Sequence, residues 1–531
     1  MPDIVLGTLN AKFIHAAFGL RYLFANLGEL QPRAVLAEYD INQRPLDVAE
    51  ALLAHRPRII GLGIYIWNVA PATELVALLK RLCPDVIIIL GGPEVSYETE
   101  PQPIVQLADH VITGEADLEF ARLCRTLLEH RPPAGPEPDG GVTVAPPKII
   151  PAPLPEFSQL KMPYEFYTDA DLAHRVIYVE ASRGCPFSCE FCLSSLDIPV
   201  RAVPLPEFLA AMDRLLERGA AQLKFVDRTF NLNVNTSRAI LEFCLARWRP
   251  GRFFHFEMVP DRLPEALREV IARFPPGALQ FEVGVQTFDE PTATRISRRQ
   301  DYARLEENFR WLRAHTGVHL HADLIAGLPG ESLAQFAAGF DRLIALAPQE
   351  IQVGILKRLR GTPIVRHDAD WGMTYNPHPP YEILQNKLLN FATVQRLRRF
   401  ARYWDLVGNS GNFIETTPLL WRDPAGGVVA SPFHAFWRWS EWLFQRMGRT
   451  DSIALARLAE LLFQHLTTEL ARDTRITAET LWRDWQRGGR TDPPGFLRPH
   501  LAHLPVRERA PRRRAGLPRR QGRHVGGMGE A

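Results

Sequence analysis

At 531 residues the chain is too long for one ordinary hydrophobic core and suggests several domains. A hydrophobic content of 46% with 23% charged residues is that of a soluble globular protein, and no run of about twenty apolar residues occurs, so no membrane span is expected. The net charge of +2 conceals an asymmetry, because residues 505–531 hold eight arginines against Glu508 and Glu530. The body is therefore mildly acidic.

The chain opens directly into Ile4-Val5-Leu6 without a basic region and cleavage site, so no secretory signal is read and a cytoplasmic address is expected. Short apolar runs then alternate with helical stretches, the pattern of a parallel sheet wrapped by helices. Strands are predicted at Ile4–Leu9, Ala34–Tyr39, Ile59–Ile66, Val86–Leu90 and His110–Thr113, with a helix over Ala72–Leu82. Ligands of such sheets sit beyond the carboxyl ends of the strands, where Thr8, Asn10, Trp67, Gly91, Gly92, Gly114 and Glu115 fall. Glycine pairs admit a bulky ligand close to the backbone, although Gly91-Gly92 alone also suits a tight turn.

Prolines and glycines crowd the stretch after His130, as in Pro132-Pro133-Ala134-Gly135-Pro136, and residues 131–170 read as a linker with one short strand near Ile149. Alternation resumes from Arg175 to about Leu359. Strands are predicted at Val176–Glu180, Gln222–Val226, Phe253–Met258, Leu279–Val285, Leu320–Ile325 and Ile351–Ile355, which makes a partial barrel.

Directly after the first of these strands comes E-A-S-R-G-C-P-F-S-C-E-F-C-L, with Cys185, Cys189 and Cys192 in a C-x3-C-x2-C array. Three thiols within eight residues point to a metal or redox centre rather than a disulfide. A closed structural zinc site needs four protein ligands, and no histidine lies between His174 and His255 to supply the fourth. A cuboidal iron-sulfur cluster on three thiolates leaves one iron open for a small molecule.

From Tyr381 to about Gly488 the pattern turns helical and rich in tryptophan, which reads as a packed core, while Gly408-Asn409-Ser410-Gly411-Asn412-Phe413 would suit a lid. The arginine-rich tail reads as a disordered, solvated extension.

The cysteine array, with Gly184 before it and Phe191 inside it, resembles the signature of the radical S-adenosylmethionine (SAM) superfamily. Preceded by an α/β domain, it resembles the cobalamin-dependent branch of that superfamily, in an uncharacterised group with a helical C-terminal extension, related to the anaerobic magnesium-protoporphyrin ester cyclase and the P-methylases. The D-x-H-x-x-G pattern that supplies a cobalt-ligating histidine elsewhere is absent; Asp109-His110 are adjacent and do not provide it. The methylthiotransferases are a competing family, but their N-terminal domain carries three more cysteines, and here only Cys83 and Cys124 precede the array.

The resemblance implies an α/β chain of five parts: a doubly wound cobalamin-binding-like sheet over 1–130, the linker over 131–170, a partial (β/α)6 radical SAM barrel over 171–365, a helical domain over 366–490 and the tail over 491–531. It implies a 4Fe-4S cluster on Cys185, Cys189 and Cys192, SAM against Phe191, Asp227, Glu282, Gln286 and Gly327, and cobalamin at the rim residues of the first sheet. Implied too are reductive cleavage of SAM to a 5′-deoxyadenosyl radical and methylation of an unactivated carbon. Cobalamin-assisted cyclisation and a non-catalytic cobalamin or iron-sulfur sensor are the alternatives. The expected partners are a small-molecule or natural-product substrate and an electron donor such as flavodoxin or ferredoxin, with no nucleic acid and no membrane. No catalytic acid or base is singled out.

Overall fold

The structure, a computed structural model, describes residues 1–129, 146–196, 199–423, 427–501 and 517–525. The proline-rich stretch 132–136 and most of the arginine-rich tail lie outside the described residues.

The first sheet consists of β1 (Ile4–Asn10), β2 (Ala34–Asp40), β3 (Ile59–Gly63), β4 (Ile87–Gly91), β5 (His110–Thr113) and β6 (Ile149–Pro151), in the order β2-β1-β3-β4-β5-β6. All its pairings are parallel. The sixth strand corrects the expected linker, because Ile149 and Ile150 pair with Val111 and Ile112 and so belong to the first sheet. Winding reverses once, between β1 and β3, so helices cover both faces. The helices Pro45–Ala54, Val69–Leu82 and Pro103–Leu107 pack one face through residues such as Leu52, Val76 and Ile104. Phe18–Ala25, the short 3-10 turn Gly28–Arg33 and Glu119–Glu129 pack the other, through Leu20, Leu30 and Phe120. These elements do not roof all six strands, and a gap remains over β3 and β4.

The second sheet begins with β7 (Ile177–Val179), followed by a small antiparallel pair, β8 (Ser182–Arg183) and β9 (Arg201–Ala202). It continues through β10 (Gln222–Phe225), β11 (Phe253–Met258), β12 (Leu279–Gln286), β13 (His319–Ala326) and β14 (Glu350–Ile355). Its order, β14-β13-β12-β11-β10-β7, never reverses, so every connecting helix falls on one face and the parallel sheet curls into an open barrel. Side chains alternate across each strand. Phe254, Phe256, Phe281, Leu320 and Ala322 belong to the apolar core, while the intervening positions are polar: Lys224, His255, Glu282, His321 and Asp323.

The helices Phe391–Leu406, Pro432–Met447, Leu455–Gln464 and Thr474–Arg487 share one continuous core with the barrel, in which Trp439 is fully buried. The tryptophan-rich layer is packing, as expected. The supposed lid is not a lid. Asn409 is buried and its side chain accepts from Ile351 N–H and donates to Ile351 C=O, both at 2.9 Å, pinning the loop to the amino end of β14.

The disordered tail also needs correction among the described residues, because Arg519–Val525 forms a helix at that same end of the barrel. Arg520 pairs with buried Glu350 at 2.9 Å and with Asp405 at 2.6 Å, and Gln521 donates to Gln280 at 2.7 Å. Partners for a barrel-end Glu350 and Gln280 cannot be read from local sequence. Among the described residues no helix is long and apolar enough to cross a membrane.

Candidate active site

The array leaves the carboxyl end of β7 and is fastened at both ends. At its start, Asp227 accepts from Ala181 N–H at 3.0 Å and from the Ser182 hydroxyl at 2.7 Å. Gly184 follows at φ +93°, a left-handed conformation that favours glycine. In the middle, buried Glu190 accepts from Ser297 Oγ at 2.5 Å and lies 2.8 Å from His367 Nε2, with Arg366 pairing to the same carboxylate. At the end, Cys192 C=O accepts from the Ser195 hydroxyl at 2.6 Å.

Cys185, Cys189 and Cys192 all open onto one cavity of about 260 Å³, lined also by Phe191, Arg228, Glu257, Glu282, Gln286 and Arg298. Among the described residues no group of three His, Cys, Asp or Glu side chains converges on a single metal-ion position. A cubane asks for no single point of convergence, because each thiolate takes its own iron. Burial pushes the Cys185 thiol above its ordinary pKa, so deprotonation calls for cationic partners. Arg298 Nη1 lies 3.5 Å from Cys189 Sγ and supplies one. The cysteine set and its cavity fit a cluster.

Of the residues expected to meet SAM, the structure brings Phe191, Glu282 and Gln286 to the cysteine cavity. Gln286 stands at φ +70° where the β12–β13 register shifts, a strained position of the kind that aims side chains at functional sites. Glu282 lies 3.1 Å from Lys224 Nζ and 2.9 Å from His255 Nε2. Although burial alone would raise its pKa, these neighbours hold the carboxyl well below the usual range. It is a fixed anion.

Asp227 and Gly327 do not reach the cavity wall. Asp227 is 2% exposed, and its carboxyl, which burial pushes up to about 6, serves the 181–182 backbone and hydroxyl instead of a ligand. Gly327, at φ +96°, packs against Ile383, where an added Cβ would come within 2.6 Å of a methyl. Arg228, directly after Asp227, and Arg298 were missed. Arg228 does reach the cavity, paired with Glu257 at 2.8 Å, but the contact between Arg298 and Cys189 spans 109 residues and leaves no local signal.

The gap over β3 and β4 is a cleft of about 320 Å³ lined by Gly61, Gly63, Gly91, Gly92, Gly114 and Glu115, with Glu180 and Arg183 of the barrel on its far wall. Gly61 and Gly92 are pressed by the protein itself, an added Cβ meeting Phe120 at 2.7 Å and Ile64 C=O at 2.5 Å, whereas at Gly91 and Gly114 it would meet nothing nearer than Ile112 C=O at 3.7 Å and Ala152 C=O at 3.5 Å. A floor without side chains at the carboxyl edge of a switched parallel sheet fits a bulky, flat-faced ligand. His110 stands at the opposite, amino end of β5, bonded to Pro147 C=O at 2.9 Å.

Thr8 and Asn10 are not in this cleft. Thr8 donates to Gly63 C=O at 2.8 Å and Asn10 to Glu38 at 2.8 Å, tying strand ends together. Trp67 stacks on Tyr65 at 4.5 Å and faces a different, larger chamber.

That chamber, about 1470 Å³, is walled by Trp67 from the first domain, Phe191 and Cys192 from the array, the end of β14, and the helices Phe391–Leu406 and Pro432–Met447. Ion pairs hold the first domain over it. Arg183 joins Glu115 at 2.8 Å, Arg358 joins Glu98 at 3.1 Å, and buried Arg21 joins Glu38 at 2.7 Å and Asp171 at 2.8 Å. Of these only the Arg21 pairs are buried, and a buried pair is weak evidence of added stability.

Three family models match the chain: the B12 binding domain over residues 4–124, the Radical SAM superfamily over 179–343, and a protein family of unknown function, DUF4080, over 369–501. The chain carries a B12-binding domain followed by a radical SAM domain, and those two domains imply cobalamin, SAM and a 4Fe-4S cluster.

In particular, it is 28% identical over 210 residues to the cobalamin-dependent radical SAM methyltransferase TokK of Streptomyces tokunonensis, covering 35% of this chain and 29% of that one. It is 24% identical to the 2-(S-pantetheinyl)-carbapenam-3-carboxylate methyltransferase of Streptantibioticus cattleyicolor, over 64% of this chain and 53% of the relative. An uncharacterized methyltransferase of Pyrococcus horikoshii is 27% identical over 35% of this chain and 43% of its own length. The chain thus spans between 29% and 53% of these curated relatives. Among solved structures, the radical SAM methyltransferase TsrM of Kitasatospora setae, with cobalamin and a 4Fe-4S cluster bound, aligns with a TM-score of 0.54 at 18% identity, over 68% of this chain and 74% of that one. That likeness is one of fold.

Proposed function

We propose that the chain is a cobalamin-dependent radical SAM methyltransferase acting on an unactivated carbon of a small molecule, with flavodoxin or ferredoxin as electron donor. The observation that carries the reading is one wall shared by two spaces: Phe191 and Cys192 line both the cysteine cavity and the large chamber, and Trp67 of the B12-binding domain faces that same chamber. When bound, the cluster with SAM supplies a hydrogen-abstracting radical and cobalamin a methyl group, the chemistry an unactivated C–H bond needs because it has no acidic proton to remove.

The protein's own part is placement. Cys185, Cys189 and Cys192 would hold the cluster, and Arg298 would place an N–H on the Cys189 sulfur. Glu257, Glu282 and Gln286 would offer acceptors to the ammonium and ribose of SAM, and Arg228 and Arg298 would offer cations to its carboxylate. The glycine floor of the first sheet would take cobalamin, and the ion pairs of Arg183 and Arg358 would set its distance from the barrel.

Protein purified anaerobically from cells supplied with cobalamin should contain about one cobalt per chain beside its iron, and should release both 5′-deoxyadenosine and S-adenosylhomocysteine when reduced with SAM. Iron without cobalt would overturn methyl transfer. Cobalt with 5′-deoxyadenosine but no S-adenosylhomocysteine would favour cyclisation, and neither product would leave a sensor.

A further inference from the structure

The large chamber carries charge that the reaction above does not use. Its wall holds six arginine or lysine side chains against three carboxylates. Four of the cations have carboxylate partners, as Arg398 has Glu382 at 3.0 Å and Arg402 has Asp405 at 3.2 Å. Lys357 and Arg449 do not. Among the described residues neither has a carboxylate within 4.0 Å, and the one hydrogen bond of the Arg449 side chain goes to Ser452 C=O at 3.2 Å. Asp451 is the one chamber carboxylate without a cationic partner and offsets part of the Arg449 charge, which leaves Lys357 the dominant free cation.

Its position is informative. Lys357 stands two residues beyond Ile355, the last residue of β14, on the carboxyl rim that also carries the cysteine array, and its neighbour Arg358 is turned away into the pair with Glu98. Lys357 and Arg449 are both exposed on the chamber wall; an unpaired ammonium in a concave space raises the local concentration of anions, and a guanidinium adds a planar fork that matches carboxylate or phosphate.

We propose that the substrate is anchored by an anionic group, a carboxylate or a phosphate, bound by Lys357 with Arg449 as the second cation, leaving its apolar part toward Phe191 and Trp67. This rests on the reading that the chamber receives the substrate.

The test needs no turnover. Cluster- and cobalamin-loaded protein is titrated calorimetrically with 4-phenylbutyrate, phenyl phosphate and the neutral 4-phenylbutyramide. One or both anions should bind roughly tenfold more tightly than the amide, as expected for a charge-assisted hydrogen bond, and their order distinguishes carboxylate from phosphate. Lys357→Gln and Arg449→Gln should each weaken the anion by a similar factor with iron and cobalt content unchanged, and Lys357→Arg should restore it. Equal binding of the amide, indifference to both variants, or no binding of either anion would overturn the assignment. Anion binding in a protein that transfers no methyl group would sink only the methyltransferase reading. Methyl transfer to a neutral compound by a protein that binds neither anion would sink only this one.

Discussion

The two parallel sheets are built from the same strand–helix unit, and one reversal of winding separates them. In the first, the reversal between β1 and β3 puts helices on both faces, yields two separate apolar cores, and leaves a glycine-floored cleft where one face runs short of helices. In the second, monotonic order puts the connecting helices on one side and leaves a concave inner face of charged groups. An apolar slot and a charged lumen thus arise from one building block. The difference teaches that ligand chemistry here follows from strand order more than from strand composition.

The comparison can be broken hardest at the cysteines. Cys189→Ala should abolish the brown absorbance of anaerobically reconstituted protein while leaving cobalt binding in the first sheet intact. A full cluster in that variant would end the assignment.

Filling the slot should do the converse. Gly91 has room for a Cβ, whose nearest neighbour would be Ile112 C=O at 3.7 Å, so Gly91→Val should occupy the cleft without displacing backbone. Cobalt content should fall at least severalfold with iron unchanged. Parallel loss of both metals would mean that the fold, not the slot, was damaged.

A smaller effect is expected at Asp227, where sequence resemblance placed a SAM contact and the structure places a loop fastening. Asp227→Ala leaves the Ala181 N–H and the Ser182 hydroxyl without their acceptor, a cost of about 1–3 kcal/mol. Chemical denaturation should show that loss, and iron occupancy should drop with it. Weakened SAM binding at full iron content and unchanged stability would restore the direct contact.

The smallest effect concerns the lumen's charge. Burial alone would lower the pKa of His321, but Asp323, 3.3 Å away, raises it to about 9 from an ordinary 6.5. A raised histidine stabilises the fold fully below its unfolded pKa and loses that contribution as pH climbs through the folded value. The stability gap between wild type and His321→Gln should therefore be widest below about pH 6.5, narrow on rising to about pH 9, and close above it. A gap that widens with pH would show the histidine neutral.

The period-2 and helical patterns determined most of the architecture, because apolar alternation is a local property: the strands His110–Thr113 and Phe253–Met258 fall where the sequence puts them, and the helix expected over Ala72–Leu82 lies within Val69–Leu82. The C-x3-C-x2-C spacing likewise carries its chemistry within eight residues. Tertiary structure alone decided the rest. That β6 joins the first sheet, that Asn409 closes the barrel's amino end, that Arg519–Val525 docks beside it, and that Asp227 faces backbone rather than a ligand all depend on partners dozens to hundreds of residues away. A side chain's type sets what it can bind, but which group it meets is set by the packing of distant segments, and no local window of sequence contains that.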